Sequence, residues 1–298
     1  MSYLKKYEYV IAVAKCGGIS QAAEQIGVSQ PTFSKYLKKI ERELGAELVD
    51  RSTLPLRLTP AGECFCEAGK RLIDIDRQLL KQLNEIKSNE NAVVRVGTSP
   101  SRSPYIMPDI LALYRKKNPS ARVVVEERTT KELNSRLATG ELDLIISLLD
   151  KDTESFDRIE LFDENVYVAV SGECVYGSDT AEDVLKNSTL ISVGHGQVMW
   201  QTLNSILSEL NLPEPEIECQ SIESALALTK RGLGAMIVPS YVARRDDGCL
   251  KFLPIRLKNE QAYKRRVCIF FRKEQFLTSA ERDFIDCVIE TEKDRGEV

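Results

Sequence analysis

The 298-residue sequence predicts an α/β chain in three parts: a small all-α head, one long helix, and a larger body of alternating strands and helices. Three observations predict it. Apolar residues between 3 and 44 recur at three- and four-residue steps, broken by glycines. From Pro60 to about Ser88 a near-heptad apolar stripe runs with no further proline. Beyond residue 91, short runs rich in valine and isoleucine alternate with helical stretches.

In the head, Leu4, Tyr7, Ile11 and Ala14 place an amphipathic helix over 3–15, and Gly17-Gly18 ends it. Ser20 is expected to cap a short helix from Gln21 to Ile26, whose Ala22-Ala23 pair allows close packing. Gly27 supplies a tight turn. Ser29 reads as the next N-cap, with Pro31 tolerated in the first turn. The helix Gln30–Leu44 turns Phe33, Leu37, Ile40 and Leu44 inward and leaves Gln30, Thr32, Ser34, Lys35 and Lys38 outward. That layout is a helix-turn-helix. A short hairpin after Gly45, bearing Arg51 and Arg57, reads as a wing. Pro60 and Ala61 open the long helix.

The run GGISQAAEQIGVSQPTFSKYLKKIERELGAELVDRSTLPLRLTPAGE resembles the N-terminal winged helix-turn-helix of LysR-type transcriptional regulators. Ala22-Ala23, Ser29-Gln30-Pro31, Ser34, Ile40-Glu41, Leu44-Gly45, Leu48 with Arg51, Leu58-Thr59-Pro60 and Ala61-Gly62 carry the match. Val49 stands where the family usually has an aromatic, a change expected only to repack the wing. Lys35 stands where arginine is frequent, and lysine lacks arginine's planar two-pronged contact to guanine.

The resemblance implies that the third helix enters the major groove of double-stranded DNA at a promoter operator. Ser29, Gln30, Pro31, Thr32, Ser34, Lys35, Lys38, Arg51 and Arg57 are the expected DNA-binding residues. Gln30 suits adenine or a phosphate, and Lys35 suits guanine acceptors. Thr32 and Ser34 suit bases, thymine methyls or backbone. Lys38, Arg51 and Arg57 suit phosphates and set register.

On the long helix, Phe65, Ala68, Leu72, Ile75, Leu79, Leu83 and Ile86 form one stripe. A single-striped helix needs a partner. The partner is either its twin in a second chain or the body of its own chain, and the resemblance favours a dimer, assembled further into a homotetramer. Ser88-Asn89-Glu90-Asn91 reads as a hinge.

The body is read as strands at Ala92–Thr98, Ala121–Glu127 and Leu142–Ser147, with helices at Pro104–Lys117 and Lys131–Thr139. A second set comprises Leu190–Val193, Val198–Leu210, Ile217–Gln220, Glu223–Arg231 and Ala235–Val238. Strands near Val166–Val170 and Val267–Phe271 cross between two lobes, and the helix Ser279–Lys293 returns to the first. Two such lobes, with GELDLIIS and GLGAMIVPS as strand patterns, resemble the family's periplasmic-binding-protein-like effector domain. The expected domains are 1–59, 60–90 and 91–298, the lobes being 91–163 with 266–298, and 164–265.

Ligands in such sheets sit beyond the carboxyl ends of strands, at helix N-termini. That rule selects Thr98, Ser99, Pro100, Ser101, Arg102, Thr129, Ser147, Gly194, His195 and Ser221 for a small, anionic effector. Arg102 is read as a loop arginine whose usual fate is solvent. His195, the sole histidine, is read as an effector contact, a pH sensor or an ordinary loop residue. Trp200 is core or pocket wall.

Composition narrows the alternatives. Residues 1–60 carry nine Lys and Arg against six Asp and Glu, so a head of +3 joins a remainder of −7. A basic head suits a polyanionic partner. No signal peptide or membrane-spanning run is read, so a cytoplasmic, membrane-free regulator is expected, with RNA polymerase a further partner. Eight scattered cysteines form no CxxC pair or zinc pattern, and no cofactor is expected. No GxSxG elbow or phosphate loop points to an enzyme. A thiol redox switch is the alternative mechanism. Some relatives place two cysteines near the stretch Ser192–Trp200, which contains none here; Cys174 and Cys219 are the nearest.

Overall fold

The computed structural model describes residues 4–87, 92–173, 180–194, 198–244, 246–256, 263–273 and 275–293. It divides into two compact units, one built from the head with the long helix and one from the body.

The head begins with α1 (Lys5–Cys16), ended by Gly17 at φ 63°, and α2 (Ile19–Ile26), ended by Gly27 at φ 77°. Gly18, not Ser20, is the N-cap of α2; the helix starts earlier than expected because Ile19 turns in with it. Helix α3 (Gln30–Leu44) starts on Ser29, whose hydroxyl accepts the Thr32 N–H at 3.4 Å. Phe33, Leu37 and Ile40 are buried, while Leu44 is 43% exposed. Leu44 is the last helical residue, beyond the reach of the packed partner helices. On α1 the buried face is Tyr7, Tyr9, Val10, Ala12 and Val13, not the expected stripe through Ile11 and Ala14. Apolar residues surround this helix, so period alone did not choose the face.

The wing is β1 (Val49–Asp50) paired antiparallel with β2 (Arg57–Leu58). Val49 is 1% exposed and belongs to the head core. Thr59 donates to the Glu47 carbonyl at 2.6 Å and accepts the Gly62 N–H at 3.0 Å, which starts α4 (Pro60–Lys87). A Cβ at Gly62 would lie 2.0 Å from the Leu48 carbonyl oxygen. Gly62 therefore lets the wing lie against α4. Phe65 stacks on Tyr7, but further along the stripe Leu72, Ile75, Leu79 and Leu83, with Leu80 beside them, stay 37–63% exposed. The Ile86 side chain and the expected 88–91 hinge lie outside the described residues.

In the body, β3 (Val93–Thr98), α5 (Ser103–Lys117), β4 (Arg122–Glu127), α6 (Thr130–Ala138) and β5 (Leu144–Leu148) form the first βαβ set. Strand β3 pairs parallel with both β4 and β5. A 3₁₀ turn at Lys151–Thr153 leads to β6 (Asp157–Ser171), a 15-residue strand. Then follow α7 (Ala181–Asn187), β7 (Leu190–Val193), α8 (Val198–Leu210), β8 (Ile217–Cys219), α9 (Ile222–Lys230), β9 (Ala235–Pro239) and α10 (Ser240–Ala243). Strands β10 (Leu250–Pro254) and β11 (Lys264–Phe271) and helix α11 (Ser279–Lys293) complete the chain's elements. The strand order is β4-β3-β5-β11-β6-β9-β7-β8, with β10 also on β6.

Strand β6 is the joint. Its first part pairs with β11 and its second with β9 and β10. One apolar core gathers Val94, Val96, Ile110, Tyr114, Ile146, Ile269 and Phe284. A second gathers Val168, Ala169, Leu190, Ile206, Ala235 and Val238. Each buried aliphatic or aromatic side chain contributes about 1.5–3 kcal/mol. Among the described residues no helix is long and apolar enough to cross a membrane.

Candidate functional site

On the head, Ser29, Gln30, Pro31, Thr32, Lys35 and Lys38 are exposed and Ser34 is half-buried. They share the outward face of α3, whose inward face is locked by Phe33, Leu37 and Ile40. Lys35, Lys38, Lys39 and Arg42 line one groove there with Thr32 and Tyr36. The expected DNA-reading residues of α3 thus stand together on one rigid helix.

The wing arginines differ from each other. Arg57 is exposed. Arg51 donates to Glu41 Oε2 at 2.6 Å. Glu41 is 8% exposed, and its other oxygen accepts the Leu48 and Val49 N–H groups at 3.0 and 3.3 Å. Glu41 therefore ties α3 to the start of the wing, and Arg51 is held in place by that tie.

In the body, Ser99, Ser101, Arg102 and Ser147 line one small cleft together with Leu148, Met199, Tyr241 and Arg265. The cleft holds about 10 Å³, room for about one water. It lies beyond the ends of β3 and β5, beside the starts of α5 and α8. Ser99 and Ser101 hydroxyl oxygens are 3.3 Å apart, and Tyr241 hydrogen-bonds to Ser101. Burial pushes the Tyr241 phenol up to about 12, so it stays a neutral donor.

Arg102 is only 4% exposed, which corrects the expectation of a solvated loop arginine. Its Nη1 lies 3.1 Å from Glu164 Oε1, and its Nη2 donates to Oε2 at 3.3 Å. Its guanidinium sits 5.4 Å from the centre of the Tyr241 ring. Arg265 also donates to Glu164, and its Nη1 donates to Thr202 Oγ1 at 3.0 Å and Met199 Sδ at 3.1 Å. Burial raises the Glu164 carboxyl, but the two guanidiniums outweigh it and hold it below the ordinary range. Arg102 Nη1 and Arg265 Nε have no acceptor in hydrogen-bond geometry among the described residues.

Among the described residues, the other expected effector contacts do not line this cleft. Thr98 is fully buried and donates to the Ile146 carbonyl at 3.0 Å. Thr129 donates to Glu132 at 2.7 Å. Ser221 caps α9 through the Ser224 N–H at 3.2 Å. The Gly194 N–H goes to the Cys219 carbonyl at 2.8 Å, and Pro100 is not among the lining residues. Helix-start hydroxyls such as those of Thr129 and Ser221 commonly satisfy their own helix. His195 and Cys174 lie outside the described residues.

Glu164, Arg265, Tyr241 and Met199 were not expected. Strand alternation carried a signal for two of them. Glu164 has the inward parity of Val166 and Val168 on β6, and Arg265 that of Val267 and Ile269 on β11. A charged residue at an inward strand position must find a partner.

Two family models match this chain. The bacterial regulatory helix-turn-helix of the lysR family covers residues 4–63, and the LysR substrate binding domain covers 87–293. The chain belongs to the LysR family. This LysR member is thus a DNA-binding transcriptional regulator with an effector-binding domain. It is 26% identical over 264 residues to the DNA-binding transcriptional dual regulator OxyR of Escherichia coli, covering 84% of both chains. It is 25% identical to the HTH-type transcriptional regulator YcgK of Bacillus subtilis, over 95% of this chain and 93% of that one. Full-length OxyR from Pseudomonas aeruginosa superposes with a TM-score of 0.72 at 24% identity, covering 98% and 95% of the two chains. CbnR complexed with its target DNA gives a TM-score of 0.65 at 22% identity, covering 97% and 100%. These likenesses support the same fold from head to last helix.

Proposed function

We propose that this LysR member reads a two-half-site operator with α3 and answers a small anionic effector held in the cleft between its lobes. The observation that carries the effector reading is the buried pair Arg102 and Arg265, which line one cleft with Ser99, Ser101, Ser147 and Tyr241, the Arg265 Nε having no hydrogen-bond acceptor among the described residues. Buried guanidinium donors with surplus capacity suit a carboxylate or similar oxyanion.

The proposed domains are 1–59, 60–90 and 91–298. The exposed stripe of α4 pairs with the same stripe of a second chain, presenting two heads to two half-sites. Two such dimers make a tetramer, as the family resemblance implies. Gln30, Thr32, Ser34 and Lys35 contact bases; Lys38, Arg51 and Arg57 contact phosphates. The protein acts in the cytoplasm, on DNA and RNA polymerase, and turns over no substrate. Effector binding shifts the lobes and so the spacing of the paired heads, which changes the DNA bend.

The thiol-switch alternative has less support. Burial pushes the Cys66 and Cys268 thiols up to about 11 and raises Cys287. Hydrogen bonding to Asp247 raises Cys249. Thiols held protonated are slow nucleophiles toward peroxide.

A DNase footprint on the upstream region of the protein's own gene tests the DNA reading. The expected result is a discrete protected site, lost in Gln30→Ala/Lys35→Ala. Protection that survives both substitutions would place the reading helix elsewhere.

A further inference from the structure

We propose that Glu164 is the resting occupant of the two arginines that an anion would use, and that a small monoanion enters the cleft by taking Arg265 from it while the Glu164 carboxylate turns further into the neighbouring cavity, which it already lines. The proposal rests on the cleft reading above and adds how that site is kept closed and which charge it accepts.

The cleft itself has room for about one water, so it does not admit even a carboxylate as it stands. What fills the reach of its two arginines is the protein's own carboxylate. Glu164 and Arg265 are register partners across β6 and β11, and Arg102 closes on the same carboxylate from the start of α5. Removing a carboxylate from two buried guanidiniums is costly unless something replaces it and the displaced charge finds partners.

The structure meets both conditions. An entering anion would replace Glu164 on Arg265, reaching the Nε that has no acceptor among the described residues. A cavity of about 170 Å³ adjoins the cleft, sharing Arg102 and Tyr241 as a wall, and Glu164 lines it. Turned that way, the carboxylate keeps Arg102 and approaches Ser240 and Arg244. Asp109 and Glu292 line the same cavity and oppose the move, which sets its cost. One positive charge, that of Arg265, is freed in the cleft. One negative charge balances it, and a dianion leaves a buried surplus. Because Glu164 sits on the strand shared by both lobes, its turn couples anion entry to the joint.

The test is a titration of acetate, by calorimetry at constant ionic strength, into the full-length wild type, Glu164→Gln, Arg244→Gln and Glu292→Gln. Glu164→Gln, with a weaker internal competitor, is expected to bind acetate about tenfold tighter or more. Arg244→Gln lies outside the cleft yet is expected to bind about tenfold weaker, because the displaced carboxylate loses a partner. Glu292→Gln is expected to bind tighter. Sulfate, a dianion, is expected to bind wild type more weakly than acetate. Equal acetate affinity in wild type and Arg244→Gln overturns the exchange and leaves the cleft reading standing. That arm decides alone if Glu164→Gln does not fold. Sulfate binding tighter than acetate overturns the monoanion assignment. Acetate bound by neither wild type nor Glu164→Gln removes the cleft reading and the exchange with it.

Discussion

The head and the body place their functional side chains in opposite ways. On α3, Gln30, Thr32, Lys35 and Lys38 are exposed over a core of Phe33, Leu37 and Ile40. In the body, Arg102, Glu164 and Arg265 are each less than a tenth exposed. The difference follows from the size of the partner. A duplex groove comes to the surface, so its contacts can wait in water at little cost. The proposed small anion would be enclosed, so its contacts must satisfy one another until it arrives. Two buried carboxylates sharpen the contrast. Glu41 accepts two backbone N–H groups and one arginine and serves as a fixed tie. Glu164 accepts only side chains, and side chains can turn.

Breaking the fixed tie should have the largest effect. Glu41→Ala strands the Leu48 and Val49 N–H groups in a buried position and is expected to destabilise the head by about 2–4 kcal/mol. Scanning calorimetry should show the head transition falling while the body transition holds. A body transition that falls equally would mean that the two units are not independently stabilised.

The second carboxylate should reveal itself through pH. The two guanidiniums hold Glu164 below the ordinary carboxylate range in the folded body. Its contribution is therefore full above the unfolded value of about 4.3 and is lost as pH falls through the lower folded value. Thermal unfolding between pH 6 and 3 should show the body weakening below about pH 4, and less steeply in Glu164→Gln. Parallel pH profiles for the two proteins would refute a charged Glu164.

The smallest effect belongs to α3. Ser29→Ala removes the cap on Thr32 N–H and should cost about 1 kcal/mol of head stability. Urea unfolding of the two proteins measures it. A loss beyond about 2 kcal/mol would give Ser29 a role other than capping.

How much was legible varied with locality. Ser29, Gly27, Gly45 and the bounds Gln30–Leu44 were readable because caps, left-handed turns and a helical period are local. The α1 face was not, since apolar residues lie on several of its sides and three neighbouring helices chose among them. Gly62 stood in the sequence only as part of the family match, and the structure shows it to be where the wing needs close approach. The strand-end rule named Ser99, Ser101, Arg102 and Ser147, which line one cleft, and also Thr98, Thr129 and Ser221, whose hydroxyls bond to the Ile146 carbonyl, the Glu132 carboxylate and the Ser224 N–H.

By itself, then, the sequence determined the order of parts, the helix-turn-helix and the strand ends that ring the cleft. All of these depend on spacing within a few turns or strands. Only the tertiary structure decided what Arg102 meets. Glu164 is 62 residues from it in the chain and Arg265 is 101 residues beyond Glu164. No local period relates those positions. They are brought together because β6 and β11 pair side by side and the start of α5 reaches Glu164, and a buried charge needs such a partner.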